Sequence, residues 1–225
     1  MDRLKQLLFN RFKTYVLIAL FMGMCIILLM VRIKLAHSFF YMFLVWNLFL
    51  AFIPFAITSY LVSLPKVGKA KLLVWFTIWL LFLPNAPYMV TDLIHLRLSE
   101  VHILWLDIVV VSCFALTGLF LFYLSVMDMK SLAKSYIKVS FLSYGNTFLF
   151  FLTGFGVYLG RFLRYNSWEL ISNPMHLFTD VLDIVFNPMS NKSAWLFTLV
   201  FGLFLHSGFW VYKQFYSNPS TYPCK

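Results

Sequence analysis

Charge is what this sequence has least of. Eight residues are acidic, and Asp, Glu, Lys and Arg together make up 12% of 225 residues, about half the ~25% of a soluble domain. So few charges cannot cover a soluble core when 62% of the chain is apolar and 20% aromatic, because a single core of this length hides only part of its chain. A soluble enzyme and a disordered tail are both excluded. Cysteine is scarce too. Cys25 and Cys113 lie inside apolar runs and Cys224 in the tail, and none has CxxC or CxxH spacing. That excludes a disulfide-rich module and a zinc site built on such spacing, and no metal or cofactor is expected. A GxxxxGK phosphate loop is missing as well, so ATP hydrolysis would need a partner. Acidic residues are outnumbered, and the formal net charge is +10. No basic stripe accompanies a soluble fold, so nucleic acid is not the partner.

What is present is a series of long uncharged runs, with a mean hydropathy of +0.84. A membrane-spanning helix needs about 20 apolar residues. Six spans are expected, near 14–31, 38–64, 66–83, 104–127, 138–160 and 194–212. The fold class is all-α: a polytopic membrane helix bundle, one integral domain over 1–225, with short interfacial helices. Pro54 interrupts the second run, where a kink or tilt is expected. The first run is followed by Val31-Arg32-Ile33-Lys34, not by a small-residue cleavage site, and reads as an uncleaved signal anchor.

Lys and Arg set orientation through the short loops. Arg3, Lys5, Arg11 and Lys13 precede the first span; Lys66, Lys69 and Lys71 follow the second; Lys130, Lys134 and Lys138 follow the fourth. This bias of about two to one predicts both termini in the cytoplasm of a cell membrane. It leaves segments 84–103 and 161–193 outside. Within the latter, residues 176–186 are too short and too charged to span. They read as a helix lying in the interface.

The segment from Leu83 to Leu96 carries the most chemistry. Pro84 and Pro87 are expected to stop a helix near the surface, with Asn85 and Tyr88 supplying partners for the freed carbonyls. Asp92 and His95 are three apart and should share a face. They are the candidate catalytic acid/base pair, and the bland alternative is an interfacial turn with snorkelling polar groups. Asp107 returns near the same surface at the start of the fourth span. Arg161 and Arg164, one helical turn apart, stand beside Asn166 and Trp168. Guanidinium groups there are suited to an anionic headgroup, or to pairing with Asp92 and Asp107. Ordinary snorkelling to lipid phosphate is the alternative. Asn47 and Asn146 are read as interhelical hydrogen bonders. His206 stands alone at its depth, whereas a b-type haem needs two axial ligands. Ala19-x-x-x-Gly23 and Gly156-x-x-x-Gly160 are packing signals.

Together, Trp46-Asn47-Leu48-Phe49-Leu50-Ala51 with Pro54, the stretch Leu83 to Leu96, and Gly160-Arg161 through Trp168 resemble the uncharacterised family known as domain of unknown function 1361. The resemblance implies a bacterial multi-pass membrane protein of about this length and implies no activity. Three functions stay open. One is an outer-leaflet enzyme acting on an anionic or lipid-linked substrate. Another is a substrate-capture subunit, similar in outline to the binding components of energy-coupling-factor vitamin transporters. The third is a non-catalytic scaffold for other membrane proteins.

Overall fold

The computed structural model describes residues 11–137, 139–165 and 174–216. The described residues form helices joined by short turns, with no strand among them. Among the described residues, five segments are long and apolar enough to cross a membrane: Phe12–Ala36, Phe40–Ser63, Lys69–Leu98, Leu104–Ala133 and Lys192–Gln214. The chain is an integral membrane protein. The chain divides into two compact units, Met1–Tyr136 and Ile137–Lys225.

The first unit is assembled around one long helix. Its elements are α1 (Phe12–Ala36), a 3₁₀ turn (Phe40–Met42), α2 (Phe43–Ser63), α3 (Lys69–Phe82), α4 (Asn85–Thr91), a 3₁₀ segment (Asp92–Leu98) and α5 (Leu104–Ala133). α5 is the most enclosed of the five spanning segments. α1 docks on it through residues seven apart. Arg11 meets Asp128, Cys25 meets Cys113, and Arg32 meets Asp107; Ile18 completes the register and is buried. A seven-residue repeat keeps one helical stripe against a partner. Partner numbers fall as those of α1 rise, so the two helices run antiparallel. The rest of α1 exposes Leu17, Leu20, Met24, Ile27 and Met30, as a lipid-facing surface should. Gly23 opens on empty space, so the Ala19–Gly23 signal does not mark a close approach there.

The prolines stop a helix as expected: α3 ends at Phe82 and α4 begins at Asn85, although the apolar segment continues to Leu98. The break is confined because its polar groups are met locally. The Leu83 N–H donates to the Trp79 carbonyl at 2.8 Å, and the Tyr88 N–H to the Pro84 carbonyl at 3.0 Å. The Asn85 side chain donates to the Phe82 carbonyl at 3.0 Å, the compensation a proline break requires in lipid. Against α5 this path also runs antiparallel. Tyr136 donates to the Val67 carbonyl, Trp79 Nε1 donates to Ser125 Oγ at 2.6 Å, and Ala86 lies against Gly118. The segment 84–103 is helical through Leu98, and only the few residues between Leu98 and Leu104 connect it to α5. α2 runs unbroken through the buried Pro54.

The second unit contains α6 (Val139–Phe162), α7 (Pro174–Phe186) and α8 (Lys192–Tyr216). α6 and α8 approach closely where glycine allows it. A Cβ on Gly154 would lie 3.1 Å from the Thr198 carbonyl oxygen, and one on Gly202 would strike the Phe151 ring. A helix is present where one is expected over 176–186: it is α7, whose Met175, Phe178, Leu182 and Phe186 are exposed. Its end is tied down. Trp195 Nε1 donates to the Ile184 carbonyl at 3.0 Å, and Asp183 accepts from Asn187 Nδ2 at 2.7 Å and Asn191 Nδ2 at 3.0 Å. These two donors hold the Asp183 carboxyl below its ordinary value of 3.8. A depressed carboxylate contributes above its unfolded pKa, and the contribution fades as pH falls through the lowered value. An NMR titration of the Asp183 carboxyl carbon should give a midpoint below 3.8, returning to it in an Asn187→Ala/Asn191→Ala variant. An unchanged midpoint in that variant would refute the cap.

Candidate functional site

At one end of the first unit the last turn of α1, the start of α2, the end of the 3₁₀ segment and the first turn of α5 come together. Arg32 and Asp107 meet there, 5% and 0% exposed. Arg32 Nε donates to Asp107 Oδ1 at 2.8 Å and Nη2 to Oδ2 at 3.4 Å. Nη1 donates to the Ser38 carbonyl at 2.9 Å. His37 lies in the left-handed region at φ 49° and ends α1 just before that carbonyl. The guanidinium sits 4.8 Å from the Tyr41 ring centroid, a cation–π contact on a desolvated charge. Tyr41 in turn joins Ser99 Oγ at 2.8 Å and donates to the His95 carbonyl at 3.3 Å. Each charge also stands at the helix end whose dipole favours it: the cation near the C-terminus of α1, the carboxylate in the first turn of α5.

Asp92 and His95 lie beside this cluster. They open a 3₁₀ segment, where three residues make one turn, so residues three apart stack directly. Asp92 is 1% exposed and accepts from Asn47 Nδ2 at 3.0 Å, so Asn47 is an interhelical hydrogen bonder as expected. The other carboxylate oxygen faces His95 Nε2 at 4.0 Å, about 1 Å beyond hydrogen-bond length. The His95 side chain is 28% exposed, and its ring rests against Phe43 and Phe40 at centroid distances of 4.9 and 6.1 Å. An enclosed carboxylate thus stands behind an imidazole that reaches the edge of the bundle.

Other expected site residues fall differently. Asp107 pairs with Arg32, because α1 brings a buried guanidinium to it. Asp92 and Asp107 are both buried. Asn85 serves the proline break, and Tyr88 is half-buried on α4. Arg161 and Arg164 belong to the second unit and do not share a helical turn. Arg161 is half-buried near the end of α6; Arg164 lies beyond that end, exposed, at φ 64°. The Tyr165 N–H returns to the Leu159 carbonyl at 3.1 Å and closes the helix end. Asn166 and Trp168 lie outside the described residues. Arg32, Tyr41 and Ser99 are absent from the sequence-based candidates. Counting Arg32 as a loop charge conceals it, whereas the spacing Arg11, Ile18, Cys25, Arg32 would have placed it on one face with a buried cysteine.

Chemically, the cluster offers one neutralised ion pair and one carboxylate–imidazole pair. The first fixes where α1, α2 and α5 meet; the second is able to accept or deliver a proton. Among the described residues no group of three His, Cys, Asp or Glu is placed to hold a metal ion. No curated protein and no solved structure matches the chain. The family model described as Protein of unknown function (DUF1361) matches residues 46–207. That stretch includes Asn47, Asp92, His95 and Asp107 and begins after α1. With more than half of its length matched, the chain belongs to this family of unknown function.

Proposed function

We propose that the chain handles a proton on an anionic or lipid-linked substrate at the outer face of a bacterial cytoplasmic membrane. In this reading His95 meets the substrate, and Asp92 orients the imidazole and stabilises its charged form. The supporting observation is the contrast in burial within one pair: a carboxylate 1% exposed, 4.0 Å from an imidazole 28% exposed. A carboxylate kept from solvent and held by Asn47 gives its neighbour a strong local field. The Lys and Arg bias supports the outer face, since it favours the opposite end of the unit as cytoplasmic. Arg161 and Arg164 enter as a separate anion-holding candidate at the end of α6.

A scaffold role has an observation of its own: the Arg32 charge is offset by Asp107 and so has little attraction left for a ligand. The two readings part in a host whose own copy is deleted. Asp92→Asn and His95→Gln should insert at wild-type level yet fail to restore the deletion phenotype, with activity down about 100-fold or more, the range for losing an acid/base group. Full restoration by His95→Gln would overturn the proton-handling reading and leave the scaffold.

A further inference from the structure

Halfway along α1, apart from the polar cluster, two thiols face each other inside the first unit. Cys25 is 0% exposed and Cys113 on α5 is 8% exposed. Their sulfurs are 3.3 Å apart. Thr117, one turn along α5, donates its hydroxyl to the Cys113 carbonyl at 2.8 Å, and its oxygen lies 3.3 Å from Cys25 Sγ. With that hydroxyl proton committed, the Cys25 S–H donates to Thr117 Oγ1, and the Cys113 S–H donates to the Cys25 sulfur. Every proton of a reduced dithiol has a place.

The surroundings hold this pair together and limit what reaches it. The Arg11–Asp128 and Arg32–Asp107 ion pairs flank it along the same seam, so α1 cannot slide against α5 without breaking both. A disulfide bond is about 2.05 Å long, so rotation of the two side chains closes most of the remaining gap. On either side of Cys25 in the chain, Met24 and Ile27 are exposed at 44% and 62% on the lipid-facing surface. Cys25 itself is enclosed, so an oxidant meets the pair through Cys113, which keeps 8% exposure.

We propose that Cys25 and Cys113 form a redox dithiol, oxidised within the membrane to an intramolecular disulfide by a lipid-soluble quinone. Two S–H bonds break and one S–S bond forms. Two electrons and two protons pass to the quinone, whose carbonyl oxygens become the hydroxyls of a quinol. The product ties α1 covalently to α5, and a quinol-linked or thiol reductant reverses it by the same balance. This is independent of the Asp92–His95 reading.

The test uses the full chain in mild detergent, with Cys224→Ser to leave only this pair, under anaerobic conditions. The oxidant is a short-chain ubiquinone with every ring position substituted, so no thiol can add to the ring. After denaturation, free thiols are counted with a maleimide-linked polymer. Two should be labelled before treatment and none after, with one quinol formed per chain. Cys25→Ser and Cys113→Ala should each keep their remaining thiol and yield no quinol; Cys25→Ser retains a donor to Thr117. Ferricyanide, confined to water, should leave both thiols labelled. Two labelled thiols after quinone treatment would overturn the proposal, as would loss of label in the single-cysteine variants or equal oxidation by ferricyanide.

Discussion

Asp107→Asn should be the most damaging single substitution in the first unit, lowering stability by about 3–5 kcal/mol. The amide keeps the shape of the carboxylate and removes its charge, which leaves the Arg32 guanidinium buried without a counter-ion. Tyr41 and the Ser38 carbonyl still contact it, but neither carries a formal charge. With total stabilities of about 5–15 kcal/mol, the loss should appear as a steep fall in folded protein across a heating series in mild detergent. Arg32→Met combined with Asp107→Leu should recover most of it, because a buried ion pair barely outweighs well-packed apolar side chains of similar volume. Exchanging the two residues should not rescue. The charges would pair again, but each would then face a helix end of its own sign. A double apolar variant as unstable as Asp107→Asn would show that the pair does more than neutralise itself.

Gly118→Ala should destabilise by about 1–3 kcal/mol, the usual cost of overpacking. A Cβ there would overlap the Ala86 carbonyl oxygen and sit 3.0 Å from the Met89 sulfur. The carbonyl belongs to the backbone of α4 and cannot swing aside as a side chain would. Shifting α4 would also disturb the hydrogen bonds that satisfy the proline break. Alanine improves helix propensity over glycine by up to about 1 kcal/mol, which offsets only part of the loss. Gly23→Ala is the matched control. Its Cβ would meet nothing within 4 Å, so only the propensity gain remains, and its unfolding midpoint should hold or rise. Equal midpoints for the two variants would show that α4 does not press on α5 at Gly118.

The helical class and the apolar segments were legible in the sequence because bilayer thickness imposes one length on every span. Their ends were less so. A run ends on paper at the first charge, yet α1 continues past Arg32 and Lys34 to Ala36. One of these charges is neutralised inside the bundle, and a long stem lets the other reach polar surroundings. The proline pair was legible as the end of α3, but the continuation of the apolar segment to Leu98 was not. A proline break is costly only while its carbonyls lack donors, and Asn85 supplies one from the next residue but two. Asp92 and His95 were legible as a pair because spacing fixes their relation in any helical geometry. Their enclosure was not, since it depends on Asn47 arriving from another helix. Arg32–Asp107 joins residues far apart in the chain, and no local pattern announces such a pairing.

That separation has a consequence for how the protein is made. Arg32 and Asp107 are 75 residues apart. A ribosome adding about 5–20 residues per second needs roughly 4–15 s to cover the distance. Throughout that interval the first helix carries a cation whose counter-ion has not been synthesised. Its place near the end of α1 lets the side chain wait in the headgroup layer, and it moves inward only when the first turn of α5 emerges. α1 therefore docks on α5 only once the rest of the first unit has been made, and newborn chains stalled before residue 107 should leave it loosely held and open to proteases.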